Sequence, residues 1–168
     1  MTRARDVVDE DLDRLPAAWT RRRHRRGTAF AALHGAYHVL NRRMVMKLHG
    51  HGLSPSEAVV LDALRRHPMA AISVIRQVTG LRASTLDSLL DRLVERELLR
   101  RDSPRDIPRE IVLELTSRGR LMSEYASAAL AEVDDELGAF VGQDVLASME
   151  LVFEASRALG VPGTAADF

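Results

Sequence analysis

Two groups of side chains have types and spacings suited to binding. The first lies between residues 82 and 109. Ser84, Thr85, Asp87 and Ser88 stand at the start of a leucine-rich helical pattern, with Arg82 just before them. Short polar side chains in such a place can reach base edges. Aspartate can accept from cytosine N4, whereas serine and threonine pair unselectively. Arg100, Arg101, Arg105 and Arg109 follow, around a segment holding Pro104 and Pro108. Arginines at a loop tip with no apolar work to do suit phosphate or the minor groove. Asp87 would repel phosphate unless it pairs with Arg82 or a later arginine. Asp106 is expected to orient one of those arginines.

The second group is His34, Tyr37 and His38, with the Arg65-Arg66 pair further on. An i, i+4 histidine pair can hold zinc. The chain has no cysteine, and no neighbouring Glu on that stretch completes a site, so neither a metal nor a cofactor is expected. The polar and aromatic cluster either lines a small-ligand crevice, with Arg65 as the cation for an anionic compound, or consists of partly exposed helix residues. Trp19, the single tryptophan, is a further lining candidate or a staple for the N-terminal extension. The run Arg21-Arg22-Arg23-His24-Arg25-Arg26 suits a DNA-reaching arm, a solvated face, or a partner for acidic side chains elsewhere.

These residues need elements to hold them. Phe30, Leu33, Tyr37, Leu40, Met44 and Leu48 recur at spacings of three and four, which predicts one long amphipathic helix from Gly27 to Leu48. Ser54-Pro55-Ser56-Glu57 reads as a capping box with proline at the first helical position. That helix ends near Arg66, before Pro68. A short helix covers Ile72 to Val78, Gly80 marks a turn, and another helix covers Arg82 to Arg96 with Leu86, Leu89, Leu90 and Leu93 inward. Leu98–Arg101 and Ile111–Leu115 read as two strands of a hairpin. Thr116 then caps a helix to about Leu137, with Gly138 and Gly142 breaking it. A last helix runs from about Gln143 to Leu159. Two helices across a glycine turn followed by a hairpin make a winged helix-turn-helix. The fold class is therefore mainly α with a small β-hairpin wing.

Charge supports this reading. The 168 residues carry zero formal net charge and only 4% aromatics, which argues against a stacking platform for single strands. The distribution is polarised: residues 16–75 sum to +8 and residues 121–168 to −8. Such a chain can meet a polyanion with one side, or pair its opposite charges between helices. No apolar run approaches the roughly 18 residues of a membrane span, and the N-terminus has acids where a signal peptide is apolar. A cytoplasmic protein is expected. No phosphate loop, dinucleotide glycine motif or nucleophile elbow is present, so no enzyme is expected.

The stretch 52–121 resembles the MarR (multiple antibiotic resistance regulator) family. The similarity rests on Gly-Leu-Ser-Pro-Ser-Glu from Gly52, Gly80-Leu81-Arg82-Ala83-Ser84-Thr85, Leu89-Leu90-Asp91-Arg92-Leu93-Val94-Glu95-Arg96, Leu98-Leu99-Arg100-Arg101 and Leu113-Glu114-Leu115-Thr116-Ser117-Arg118-Gly119-Arg120. The resemblance implies a homodimer and a winged helix on double-stranded DNA. It also implies a small, often aromatic, anionic effector in a crevice by the dimerisation helices. Four positions depart from the family's habit. Asp87-Ser88 replaces Thr-Arg, and Ala71-Ile72-Ser73-Val74 lacks a polar cap. Glu97 replaces a glycine, and the wing has Asp106-Ile107-Pro108-Arg109 for Asp-Arg-Arg. The urate-responsive branch has an extension with a pocket-closing tryptophan, as Trp19 suggests. This chain has Ser88 and Val59 near that branch's pocket Arg and Asp, against urate as the effector.

The expected organisation is an extension over 1–26, a dimerisation helix over 27–52, a DNA-binding lobe over 53–116, C-terminal dimerisation helices over 117–160 and a tail over 161–168. The expected function is a homodimeric, ligand-responsive repressor on pseudo-palindromic operators. The alternative is a small-molecule-binding or protein-interaction relative that has lost operator binding.

Overall fold

A computed structural model describes residues 28–102 and 111–159. Trp19, Arg21–Arg26, Arg105, Asp106 and Arg109 lie outside the described residues. In chain order the elements are α1 (Ala29–Lys47), α2 (Pro55–Arg66), β1 (Ala70–Ala71), α3 (Ile72–Thr79), α4 (Ala83–Glu95), β2 (Leu99–Asp102), β3 (Val112–Leu115), α5 (Ser117–Val141) and α6 (Gln143–Ala158). They form two compact units. One is Leu33–Val133, and the other takes in the described residues at the two ends.

The Leu33–Val133 unit holds the winged helix. Its α2 starts at the expected capping box: the Glu57 N–H donates to Ser54 Oγ, and the Ser54 N–H donates to Glu57 Oε2 at 2.8 Å. Val60, Leu61 and Leu64 of α2 are buried against Ile75 of α3 and the leucine face of α4. Leu86, Leu90 and Leu93 are fully buried and Leu89 nearly so. That is the 3.6-residue stripe seen in the sequence, and it leaves the opposite face of α4 in solvent.

The sheet has three strands in the order β1-β3-β2, all antiparallel. The third strand is a correction to the two-stranded hairpin. Ala70 and Ala71 pair with Leu113 and Val112. Met69, at φ 56°, turns the chain into that pairing after Pro68. Alanine has little strand preference, so β1 exists through its partner strand rather than its own composition.

The exit from α4 is a left-handed turn on Glu97, at φ 57°. The Leu98 N–H donates to the Leu93 carbonyl at 2.9 Å and the Glu97 N–H to the Val94 carbonyl at 2.9 Å, the two bonds of a Schellman ending. A glycine fits this position without strain; glutamate carries a Cβ penalty. Glu97→Gly is expected to stabilise the chain by about 0.5–1 kcal/mol, after the entropy glycine adds to the unfolded state is subtracted. A Tm rise of roughly 2–4 °C checks this, and an unchanged or lower Tm contradicts it.

α5 is longer than the sequence suggests. Gly138 lies inside it and does not break it. A Cβ at Gly138 would stand 2.7 Å from Gln143 Nε2 and 2.9 Å from Leu146 Cδ1, so the glycine lets the start of α6 come close. The turn itself is made by Gly142, at φ 84°. α6 has no buried residue and exposes Val145, Met149, Leu151, Val152 and Phe153. The outer half of α1 is exposed too, with Phe30 at 78%, whereas Met44 and Leu48 join the core.

Candidate nucleic-acid interface

Leucine burial on one side of α4 fixes what the other side offers. Ser84, Thr85, Asp87 and Ser88 are all exposed in its first turns, and Arg82 is exposed at the residue before it. Four of the five face solvent with side chains uncommitted to the lobe. Ser88 differs, because its Oγ donates back to the Ser84 carbonyl at 2.9 Å. Asp87 makes no ion pair with Arg82, and none with any other described residue. It stands with Ile72, Ser73, Arg76, Ala83 and Leu86 around a shallow cleft of about 220 Å³ between α3 and α4.

The strand arginines are placed differently from the expectation that they have no other work. Arg100 lies opposite Glu114 in the β2–β3 register, and its Nε donates to Glu114 Oε2 at 2.8 Å. Arg101 donates to Asp91 Oδ1 at 2.7 Å, which ties β2 to α4. Both pairs are solvent-facing, so each is worth about 0–1 kcal/mol and yields to a competing anion. Asp87, Asp91 and Glu95 recur every fourth residue along α4, all exposed. Helix α4 therefore carries an acidic ridge, and Arg101 neutralises its middle member.

Buried Glu57 is a structural anchor that its capping-box role only half foretells. Besides capping α2 it faces Nε of Arg92 in α4 and Nη1 of Arg96 at that helix's C-cap, each at 3.5 Å. This holds the two helices of the reading unit at a fixed offset. Nothing in the local sequence pairs residue 57 with residues 92 and 96.

No described contact joins Arg65 to the small-ligand candidates on α1. His34 and His38 pair with each other, Nε2 to Nε2 at 3.1 Å, and the Tyr37 ring lies edge-on to His38 at 5.4 Å. All three are exposed on α1. Arg65 is engaged elsewhere: its Nε donates to Ser127 Oγ at 2.8 Å, and Ser127 in turn donates to Asp62. Asp62 also holds Arg66 at 2.7 Å, so one carboxylate serves both arginines of the basic pair.

The placement of reading helix, wing strands and long flanking helices invites comparison with known proteins. Residues 51–106 match the MarR family. The winged-helix part of the chain is similar to that family. Solved structures share its fold. BpsR of Bordetella bronchiseptica, whose DNA binding is regulated by 6-hydroxynicotinic acid, is 20% identical with a TM-score of 0.65, over 75% of this chain and 96% of that one. PcaV of Streptomyces coelicolor, solved with its natural ligand, is 25% identical with a TM-score of 0.63, over 82% and 95%. MepR of S. aureus, solved with DNA, is 16% identical with a TM-score of 0.68, over 80% and 99%. No curated protein matches the chain. Among the described residues, no helix is long and apolar enough to cross a membrane.

Proposed function

We propose that the chain is a cytoplasmic, homodimeric, ligand-responsive DNA-binding regulator, not an enzyme, and that it represses from a pseudo-palindromic operator. The observation that carries this is the two-faced α4: leucines locked into the lobe, and Arg82, Ser84, Thr85 and Asp87 presented beside the wing strands. Arg82, Arg100, Arg101, Arg105 and Arg109 supply charge, and Ser84, Thr85, Asp87 and Ser88 supply selectivity. Residues 53–116 form the DNA-binding lobe. The long helices over 27–52 and 117–160 pair two copies, because α6 alone leaves five large apolar side chains in water, four of them (Val145, Met149, Val152 and Phe153) on one face. Two lobes then meet half-sites about one helical turn, roughly 10 base pairs, apart. An anionic aromatic compound, of the kind that regulates BpsR, would act by favouring a lobe spacing that misfits those half-sites. His34, Tyr37, His38, Arg65 and Trp19 are its proposed contacts.

The test is fluorescence anisotropy of the full chain on its own upstream DNA and on a scrambled duplex, at two salt concentrations. Tighter, salt-dependent binding to the upstream DNA supports operator binding. Equal affinity for both duplexes would favour the second reading, a relative that has lost operator binding. The acidic ridge on α4 and the internally paired strand arginines favour that reading. Asp87 separates two roles within the first. If it only repels phosphate, Asp87→Asn tightens binding to every sequence alike. If it reads cytosine, the same change relaxes discrimination at one position by about 1–3 kcal/mol. With no ion pair at Asp87 among the described residues, although Arg76 lines the same cleft, uniform tightening is the expected result.

A further inference from the structure

We propose that His34 and His38 form a chelating site on α1 for a divalent transition-metal ion such as Cu²⁺ or Zn²⁺. The sequence asks for a third protein ligand and finds none. The structure supplies a different fact. The two Nε2 atoms converge to 3.1 Å across one helical turn. Two nitrogens bound to one ion at about 2.0–2.1 Å, with an angle between the right angle and the tetrahedral one, lie roughly 2.9–3.4 Å apart. The observed gap falls in that range. A metal ion can take the place between the two rings once each carries its proton on Nδ1, which leaves a lone pair on each Nε2.

The surroundings permit it. Both rings are exposed, and their centroids are 4.4 Å apart in an edge arrangement. One turn of helix fixes the spacing, so no chain ordering opposes binding. On the helical wheel the pair flanks the apolar stripe of Leu33, Tyr37, Leu40 and Met44 rather than lying in it. No group of three or more His, Cys, Asp or Glu converges among the described residues, so the ion keeps water at its other positions. Imidazole suits Cu²⁺, Ni²⁺ and Zn²⁺, and the affinity order should put Cu²⁺ first.

The experiment is calorimetric titration of the full chain with CuCl₂ and ZnCl₂ in a non-coordinating buffer. One ion per chain is expected at this site, Cu²⁺ tighter than Zn²⁺. His34→Ala and His38→Ala should each weaken Cu²⁺ binding by about tenfold or more, because each removes one arm of a chelate. Both changes are on an exposed helix face, and alanine is the stronger helix former, so unchanged helical circular dichroism should accompany the loss. His49→Ala should leave the affinity as it is. Nitrogen NMR should show Zn²⁺ shifting the Nε2 signals of both residues. Absence of binding, a loss in only one of the two variants, or equal affinity in all variants would overturn the proposal.

Discussion

Gly119→Ala should destabilise the chain by about 3–5 kcal/mol and lower Tm by roughly 10 °C or more. The added Cβ would stand 1.8 Å from the carbonyl oxygen of Leu98 and 2.8 Å from its carbonyl carbon. Both are backbone atoms of the junction between α4 and the wing. That junction is tied from three sides. The Leu98 N–H donates back to α4, the Leu98 carbonyl accepts from the Thr116 N–H at 3.1 Å, and Thr116 Oγ1 donates to the Glu97 carbonyl at 2.7 Å. Thr116 Oγ1 also accepts from the Gly119 N–H, which caps α5. No rotamer change can relieve the clash, so the wing or the first turn of α5 must move. Gly35→Ala is the internal control. Gly35 is exposed within α1 and a Cβ there meets nothing within 4 Å. The same chemical change should therefore stabilise by about 0.5–1 kcal/mol, through helix propensity alone. Thermal melts of both variants decide the matter: two shifts of the same sign would mean that the contact at Leu98 does not set the cost.

Gly119 also illustrates what a sequence can and cannot disclose. Elements specified by near neighbours are legible. Ser54 and Glu57 are three residues apart, and their capping box begins α2 where the sequence places it. Leu86, Leu89, Leu90 and Leu93 state which side of α4 is buried, hence which side is left to solvent. Features decided by a distant partner are not. Ala70 and Ala71 become a strand only because Leu113 and Val112 lie beside them. Gly138 reads as a breaker but serves a close approach by Gln143 and Leu146. The site divides the same way. Exposure of Ser84, Thr85 and Asp87 follows from the leucine period. The partners of Arg100, Arg101 and Arg65 follow from strand register and helix packing, which no local pattern encodes.

Those partners set the second large expectation. Arg100→Ala combined with Arg101→Ala should weaken binding to specific and scrambled duplexes alike, by about thirtyfold at low salt, or roughly 2 kcal/mol. It should also lower the salt slope by about two, one for each lost phosphate contact. On the proposed function uniform loss is expected, because the β2 arginines would meet the backbone while base edges are left to α4. The paired carboxylates make a reciprocal test possible. Asp91→Asn with Glu114→Gln removes the groups that compete with phosphate for these guanidiniums. Because exposed pairs hold so weakly, the arginines already transfer to phosphate when the parent chain binds. The carboxamide variant should therefore bind every duplex a few-fold more tightly with the salt slope unchanged, since the number of neutralised phosphates stays the same. A slope that rises by about two would instead mean that Arg100 and Arg101 stay on Glu114 and Asp91 in the parent complex. Their work would then be to hold β2 against β3 and α4, with phosphate contact left to other cations. Unchanged affinity and slope in the double alanine variant would lead to the same conclusion from the opposite side.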